Sequence, residues 1–210
     1  LFPLLAVGMA VFVQEQNWGF FNIVELPFWL TVTISVVAFY FIIYLQHITF
    51  HTIPFLWRFH RMHHTDLDFD VTTGLRFHPV EIILSMLLKL ATVTLLGPPP
   101  LAVIMFEVLL NATSMFNHGN IYITGKIDRI IRCLVVTPDM HRSHHSIMPE
   151  ERNSNFGFNL PWWDHLLGTY CDQPQSGHER MLIGIETFRN PKYLHLQWLL
   201  IQPFVSKEYN

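Results

Sequence analysis

The sequence predicts an all-α integral membrane protein. It reads as a four-helix bundle of two helical hairpins, with a cytoplasmic helical cap that carries clustered histidines. Three observations point there. Half of the 210 residues are apolar and 14% are charged, against about 25% charged in an ordinary soluble domain; mean hydropathy is +0.29. Several stretches with little or no charge approach the roughly 20 residues that span a bilayer. The 13 histidines equal Lys and Arg together, and they are clustered.

The same composition excludes other classes. With 18 Phe and 6 Trp the chain is too apolar for disorder. A net charge of -3 leaves no electrostatic footprint for nucleic acid. Cys133 and Cys171 form no CxxC pair, so no disulfide framework is present.

The chain, read as a single membrane domain over 1–210, opens at Leu1 rather than Met, as though its true N-terminus were missing. Leu1 to Val13 lacks a basic n-region, so it reads as the remainder of a membrane helix rather than a signal peptide. Pro27 to Gln46 is an uncharged second span. Val80 to Leu96 is the third, with Glu81 near its start and Lys89 within. Pro99 to Asn117 is the fourth and carries Glu107. Gly97-Pro98-Pro99-Pro100 is a tight breaker, which predicts an antiparallel hairpin of the last two. Predicted spans are thus about 1–13, 27–46, 80–96 and 99–117. Twelve of the 13 Lys and Arg fall in 47–79 or 118–210, Lys89 being the exception, and the turns at 14–26 and Gly97 have none. By the positive-inside rule both basic segments are cytoplasmic. Pro191 to Val205 is apolar enough for an interfacial helix.

The histidines form spaced groups. His47-Ile-Thr-Phe-His51 ends the second span, and His60-Arg-Met-His63-His64 follows nine residues later. His118 lies just past the fourth span, and His141-Arg-Ser-His144-His145 lies in the cap. On a helix, positions i, i+3 and i+4 share a face, so each HxxHH is expected to aim three imidazoles at one point. Thr137-Pro138 supplies an N-cap and first-turn proline before His141. Eight clustered imidazoles and His118 exceed the capacity of one metal; two metals with four or five ligands each fit. His165, His178 and His195 read as ordinary polar residues. Imidazole suits Zn, Cu, Fe and Ni alike. A zinc hydrolase of lipids lacks its HExxH here, and a metal-handling protein would place polar groups within the spans. Both readings stay open beside a lipid-facing site at the membrane surface.

HITFH, HRMHH and HRSHH resemble the histidine boxes of the fatty acid hydroxylase and sterol desaturase superfamily. Asp70-Val-Thr-Thr-Gly-Leu-Arg76-Phe-His78-Pro79-Val-Glu81 resembles the stretch after the second box in its bacterial sterol-desaturase-like branch. Asn117-His118-Gly-Asn120, Asn155-Phe-Gly-Phe-Asn159 and Trp162-Trp163-Asp164-His165 through Thr169 resemble later signatures, in the expected order. The resemblance implies a membrane di-iron oxygenase that uses O2 and two electrons to hydroxylate or desaturate a lipid. Its ligands would be His47, His51, His60, His63, His64, His118, His141, His144 and His145. Ser114 stands where some relatives carry a further His, which makes His78 a candidate ligand.

Zinc has no accessible second oxidation state, so a zinc-loaded form would reflect replacement of two Fe ions. Ligating His usually donates its other N–H to a carboxylate or carbonyl; Asp66, Asp70, Asp139 and Asp164 are the nearby acids. The lipid is expected in a groove of the second and fourth helices, capped by Phe156, Phe158, Trp162 and Trp163. The Trp pair reads better as an interfacial belt. No GxGxxG or CxxCH is present, so electrons are expected from a separate haem or iron–sulfur donor protein. Lys126, Arg129 and Arg132 form a basic stripe for such a donor or for anionic headgroups. The expected location is the bacterial inner membrane rather than the endoplasmic reticulum, with the site on the cytoplasmic face.

Overall fold

The computed structural model describes residues 2–205 and contains no strand among them. Helix α1 is Phe2–Glu15. Helix α2, Phe28–Thr52, runs six residues past the predicted Gln46 and so carries His47 and His51. It stops because Ile53 precedes Pro54 and is held extended at φ -91° and ψ 113°. Pro54 then opens helix α3, Pro54–His64. Helices α4, Pro79–Leu96, and α5, Pro100–Asn117, follow. Three helices, α2, α4 and α5, are long and apolar enough to cross a membrane. With 14 residues, α1 is shorter than a span.

The last turns of the chain's C-terminal region are short. Helices α6, Gly125–Ile131, α7, Pro138–His144, α8, Trp162–Leu167, and α9, Leu196–Ile201, are linked by irregular segments. The predicted helix over 191–205 is broken. Its first and last parts are 3-10 turns around α9, and His195 is extended between them. Arg61 donates to the carbonyls of Gln202 and Val205, which straps this segment onto α3.

Consecutive long helices do not pack side by side as the hairpin reading expects. Helix α1 packs against both α4 and α5, while α2 packs chiefly against α5. Ala6, Ala10 and Val13 make this possible: they recur on one face of α1 and are fully buried against a core that includes Phe39, Val93, Ala102, Val103 and Phe106. Small residues let the backbones approach. Outward faces expose Leu87, Leu95 and Val108, as a lipid-facing surface requires.

The α4–α5 turn is fixed by Gly97 at φ 61° and ψ 47°, a left-handed helix end that L residues disfavour. A Cβ there would stand 2.5 Å from the Trp18 carbonyl oxygen. Gly97→Ala is therefore expected to lower stability by at least about 1 kcal/mol. Gly8→Ala in α1, where a Cβ meets nothing within 4 Å, is expected to leave it unchanged or slightly raised. Thermal unfolding of the two variants in one detergent checks the pair; equal midpoints would contradict the turn geometry.

Candidate metal centre

Nine imidazoles converge at one end of the long helices. His47 and His51 leave the last turns of α2 on one face. His60, His63 and His64 occupy the end of α3, which Pro54 folds back toward α2. His118 follows the last residue of α5. His141 and His144 lie in α7 and His145 caps it. As the sequence predicts, Thr137 accepts from the Met140 N–H and Pro138 fills the first turn.

These rings form two groups, one of five and one of four. His47, His51, His60, His64 and His144 bring ligand nitrogens within 4.8 Å of one another, and so do His63, His118, His141 and His145. The groups touch: His64 stacks on His145 with centroids 4.4 Å apart. Each HxxHH box is split between them, which corrects the expectation of three rings on one point. A helix turns about 100° per residue, so positions i and i+4 differ by roughly 40° while i+3 swings roughly 60° the other way. His60 and His64 therefore stay together and His63 goes to the second group. His141 and His145 stay together and His144 joins the first.

Backbone carbonyls set the ring tautomers. His47 Nδ1 donates to the Phe156 carbonyl at 2.8 Å, His63 Nδ1 to Thr73 at 3.0 Å, His118 Nδ1 to Ser114 at 2.8 Å and His144 Nδ1 to Ser154 at 2.7 Å. A carbonyl can only accept, so each proton sits on Nδ1 and the Nε2 lone pair faces inward. His60 Nδ1 is held by the Glu81 carboxylate at 2.7 Å. Asn155, at φ 51°, turns the chain so that the carbonyls on either side of it reach two different rings.

This donor set fits metal ions. Nε2 of His47, His51, His60, His64, His144 and His145 is buried without a protein partner. An unmet buried polar atom costs about 1–3 kcal/mol, and six together have no structural purpose unless something binds them. His63 and His118 both keep their proton on Nδ1, yet their Nε2 atoms stand 3.3 Å apart. Two lone pairs in that position repel, and a cation between them reverses the sign. Burial first, then neighbouring imidazoles, hold His63, His64, His141 and His145 well below the usual histidine range. Burial lowers His118 to about 4 and His144 to about 3. These six rings are thus neutral, the form that ligates metal.

The fatty acid hydroxylase family model matches residues 32–169 and so covers every one of these rings. The chain belongs to this family. It is 33% identical over 150 residues to an ornithine lipid hydroxylase of Rhizobium tropici, covering 71% of this chain and 44% of that protein. It is 26% identical over 188 residues to an alkylglycerol monooxygenase of Xenopus tropicalis, covering 85% and 38%. It is 28% identical over 131 residues to the human cholesterol 25-hydroxylase, covering 60% and 46%. The chain thus spans less than half the length of these curated relatives. No solved structure matches it.

Within this family member the other candidate residues take different places. His78 is a helix cap rather than part of either group: its Nδ1 accepts from the Val80 N–H at 3.1 Å, and its Nε2 lies 3.1 Å from the Leu200 carbonyl. None of the four nearby aspartates touches a ring of the two groups. Asp66 accepts from Thr73 Oγ1 at 2.7 Å and pairs with Arg76, steadying the residue whose carbonyl holds His63. Asp164 accepts the N–H groups of Phe156 and Gly157, both at 2.8 Å, steadying the carbonyl that holds His47. Asp70 closes a turn onto Thr72, and Asp139 pairs with Arg142. Nearness in sequence to the boxes does not bring these four acids to the rings. Glu81, the carboxylate that does hold a ring, ends the 70–81 stretch of the resemblance and stands as an acid in an apolar span, which calls for a partner. Arg132 is buried in pairs with Asp128 and Asp172, so it leaves the basic stripe to Lys126 and Arg129. His165 stacks on Tyr170 outside both groups, and His178 lies 4.0 Å from Asp139.

A cavity of about 400 Å³ opens from His47 and His60 between α2, α4 and α5. Its walls thus include the third predicted span as well as the second and fourth. Phe158 closes it as expected, whereas Phe156 packs on His47, His51 and His144. Trp162 donates to the Cys133 carbonyl and Trp163 packs on Phe41, away from the cavity.

Because His63 and His144 fall in different groups, His63→Ala and His144→Ala are each expected to lower the metal content of the purified protein, while His178→Ala keeps it. Glu81→Ala is expected to weaken metal affinity by about 10–100-fold, the usual cost of losing an outer partner of a ligating His. Elemental analysis and competition with a chelator check both statements. Wild-type metal content and affinity in all the variants would contradict the assignment.

Proposed function

We propose that this protein is a membrane-bound di-iron enzyme that hydroxylates an unactivated C–H bond of a lipid with O2. The carrying observation is the convergence of nine imidazoles, in groups of five and four, beside a cavity between membrane-length helices that His47 and His60 line. The ligands proposed are His47, His51, His60, His64 and His144 for one ion, and His63, His118, His141 and His145 for the other. The bound irons would supply the redox chemistry that activates O2. Zinc in a purified sample would stand in for iron.

The chain's own residues position and exclude. Phe156 and Phe158 wall the histidines with apolar surface, which keeps bulk water from the reacting carbon. The carbonyls of Thr73, Ser114, Ser154 and Phe156 keep the ring protons on Nδ1. In the balanced reaction one oxygen atom enters the C–H bond. The other leaves as water with two protons and two electrons from a separate haem or iron–sulfur protein. The relatives' names, all hydroxylases or monooxygenases, favour hydroxylation over desaturation. Their named lipids differ, and the site is read here as lipid-directed in general.

The architecture proposed is a four-helix membrane bundle of α1, α2, α4 and α5 with the remaining residues on the cytoplasmic side of the bacterial inner membrane. The support is the basic residues of 47–79 and 118–210.

Two experiments test this reading. Lipids extracted from cells with and without the gene, grown under isotopically labelled O2, are compared by mass spectrometry. A lipid that gains one labelled oxygen in the presence of the gene is expected, and oxygen taken from water instead would contradict the reading. For topology, single cysteines replace exposed Gln16 and exposed Glu150 in a Cys133→Ser/Cys171→Ser background. The first is expected to react with an impermeant reagent outside intact cells, and the second only after the membrane is opened. Labelling of Glu150→Cys from outside would reverse the assigned side.

A further inference from the structure

Lys89 of α4 and Glu107 of α5 form an ion pair inside helices of membrane-spanning length. Apart from Glu81 in the first turn of α4, they are the charged residues of the three spans. Their side chains are 10% and 8% exposed. Charges in such a place are costly and are usually retained for function. Helix packing does not require this pair, since apolar replacements of buried ion pairs are often as stable.

The pair lines the cavity that opens from His47 and His60. Two polar stripes connect the ends. On α5, Glu107, Asn111 and Ser114 recur at helical spacing and continue to His118; the first three line the cavity. On α4, Glu81, Ser85 and Lys89 recur every fourth residue and line the facing wall. Gln46 of α2 donates to Ser85 Oγ at 2.5 Å. A pure hydrocarbon chain needs none of these groups. The ends also differ: the histidine end is where oxidation is proposed, and the Lys89 end is polar and electrically neutral overall. A hydroxyl can accept from the ammonium and donate to the carboxylate at once. A phosphate or carboxylate would meet Glu107 with like charge.

We propose that Lys89 and Glu107 form a subsite for the neutral hydroxyl of an amphipathic lipid, which lies in the cavity with its polar end away from the histidines. The eight residues from Glu81 to Lys89 rise about 12 Å, so the attacked carbon lies roughly that far from the hydroxyl. The subsite rests on the hydroxylase reading for its orientation, but not for its chemistry.

The test is equilibrium binding of radiolabelled hexadecanol to the full chain in detergent, with unlabelled hexadecanol, hexadecane and hexadecyl phosphate as competitors. Hexadecanol is expected to compete at least about tenfold better than either of the others, the difference made by one hydrogen bond to a charged group. The Lys89→Met/Glu107→Leu double variant removes both charges and keeps apolar volume; it is expected to lose that preference while keeping its metal content. The charge-exchanged Lys89→Glu/Glu107→Lys protein is expected to regain it. Equal competition by hexadecane or hexadecyl phosphate in the wild type overturns the subsite without any variant, and so does an unchanged preference in the double variant. A chain that prefers the alcohol but shows no O2-dependent lipid oxidation would sink the hydroxylase reading and leave the subsite standing.

Discussion

Nine imidazoles gathered into two adjoining groups govern how the rest of the chain is arranged. Protein atoms alone leave most of their Nε2 atoms unpaired. His63 and His118 face each other through two acceptors, and six further Nε2 atoms are buried without partners. The surrounding chain nevertheless fixes four of the rings, because Thr73, Ser114, Ser154 and Phe156 each accept a ring proton from the outer side. Backbone acceptors that aim lone pairs inward make a donor set that cations fit.

The fold follows from bringing those rings together at one level. Helix α2 extends beyond its apolar stretch to present His47 and His51, Pro54 turns the chain back so that α3 lies over them, and α5 returns His118 to the same end. The C-terminal region then closes over the top, with α7 contributing the last three rings and the Ser154–Phe156 turn orienting rings from α2 and α7. The small-residue face of α1 packs against both α4 and α5, while the cavity opens between α2, α4 and α5 toward the histidines.

Much of this was legible in the residues themselves. HITFH, HRMHH and HRSHH carry the i, i+3 and i+4 spacing of helical ligands, and Gly97 before three prolines marks a turn that only a left-handed residue makes. The division of each box between two groups follows from helical angles, yet it emerges only when a second set of rings defines two centres. The partners of the rings were mostly invisible, because four are backbone carbonyls and carry no side-chain signature. Asp66 and Asp164 lie near the boxes in sequence but act one step out, through Thr73 and Phe156. His78 looked like a spare ligand, and its place before Pro79 makes it a helix cap instead. Lys89 and Glu107, 18 residues apart on two helices, read singly as blemishes in apolar spans; only the fold shows them as a pair on a shared cavity.

The proposed chemistry requires two metal ions, one in each histidine group. Anomalous scattering at the iron absorption edge from crystals of iron-loaded protein locates them. Two separate iron peaks are predicted, one among His47, His51, His60, His64 and His144 and one among His63, His118, His141 and His145. A single peak shared by both groups, or iron bound elsewhere on the chain, would contradict it.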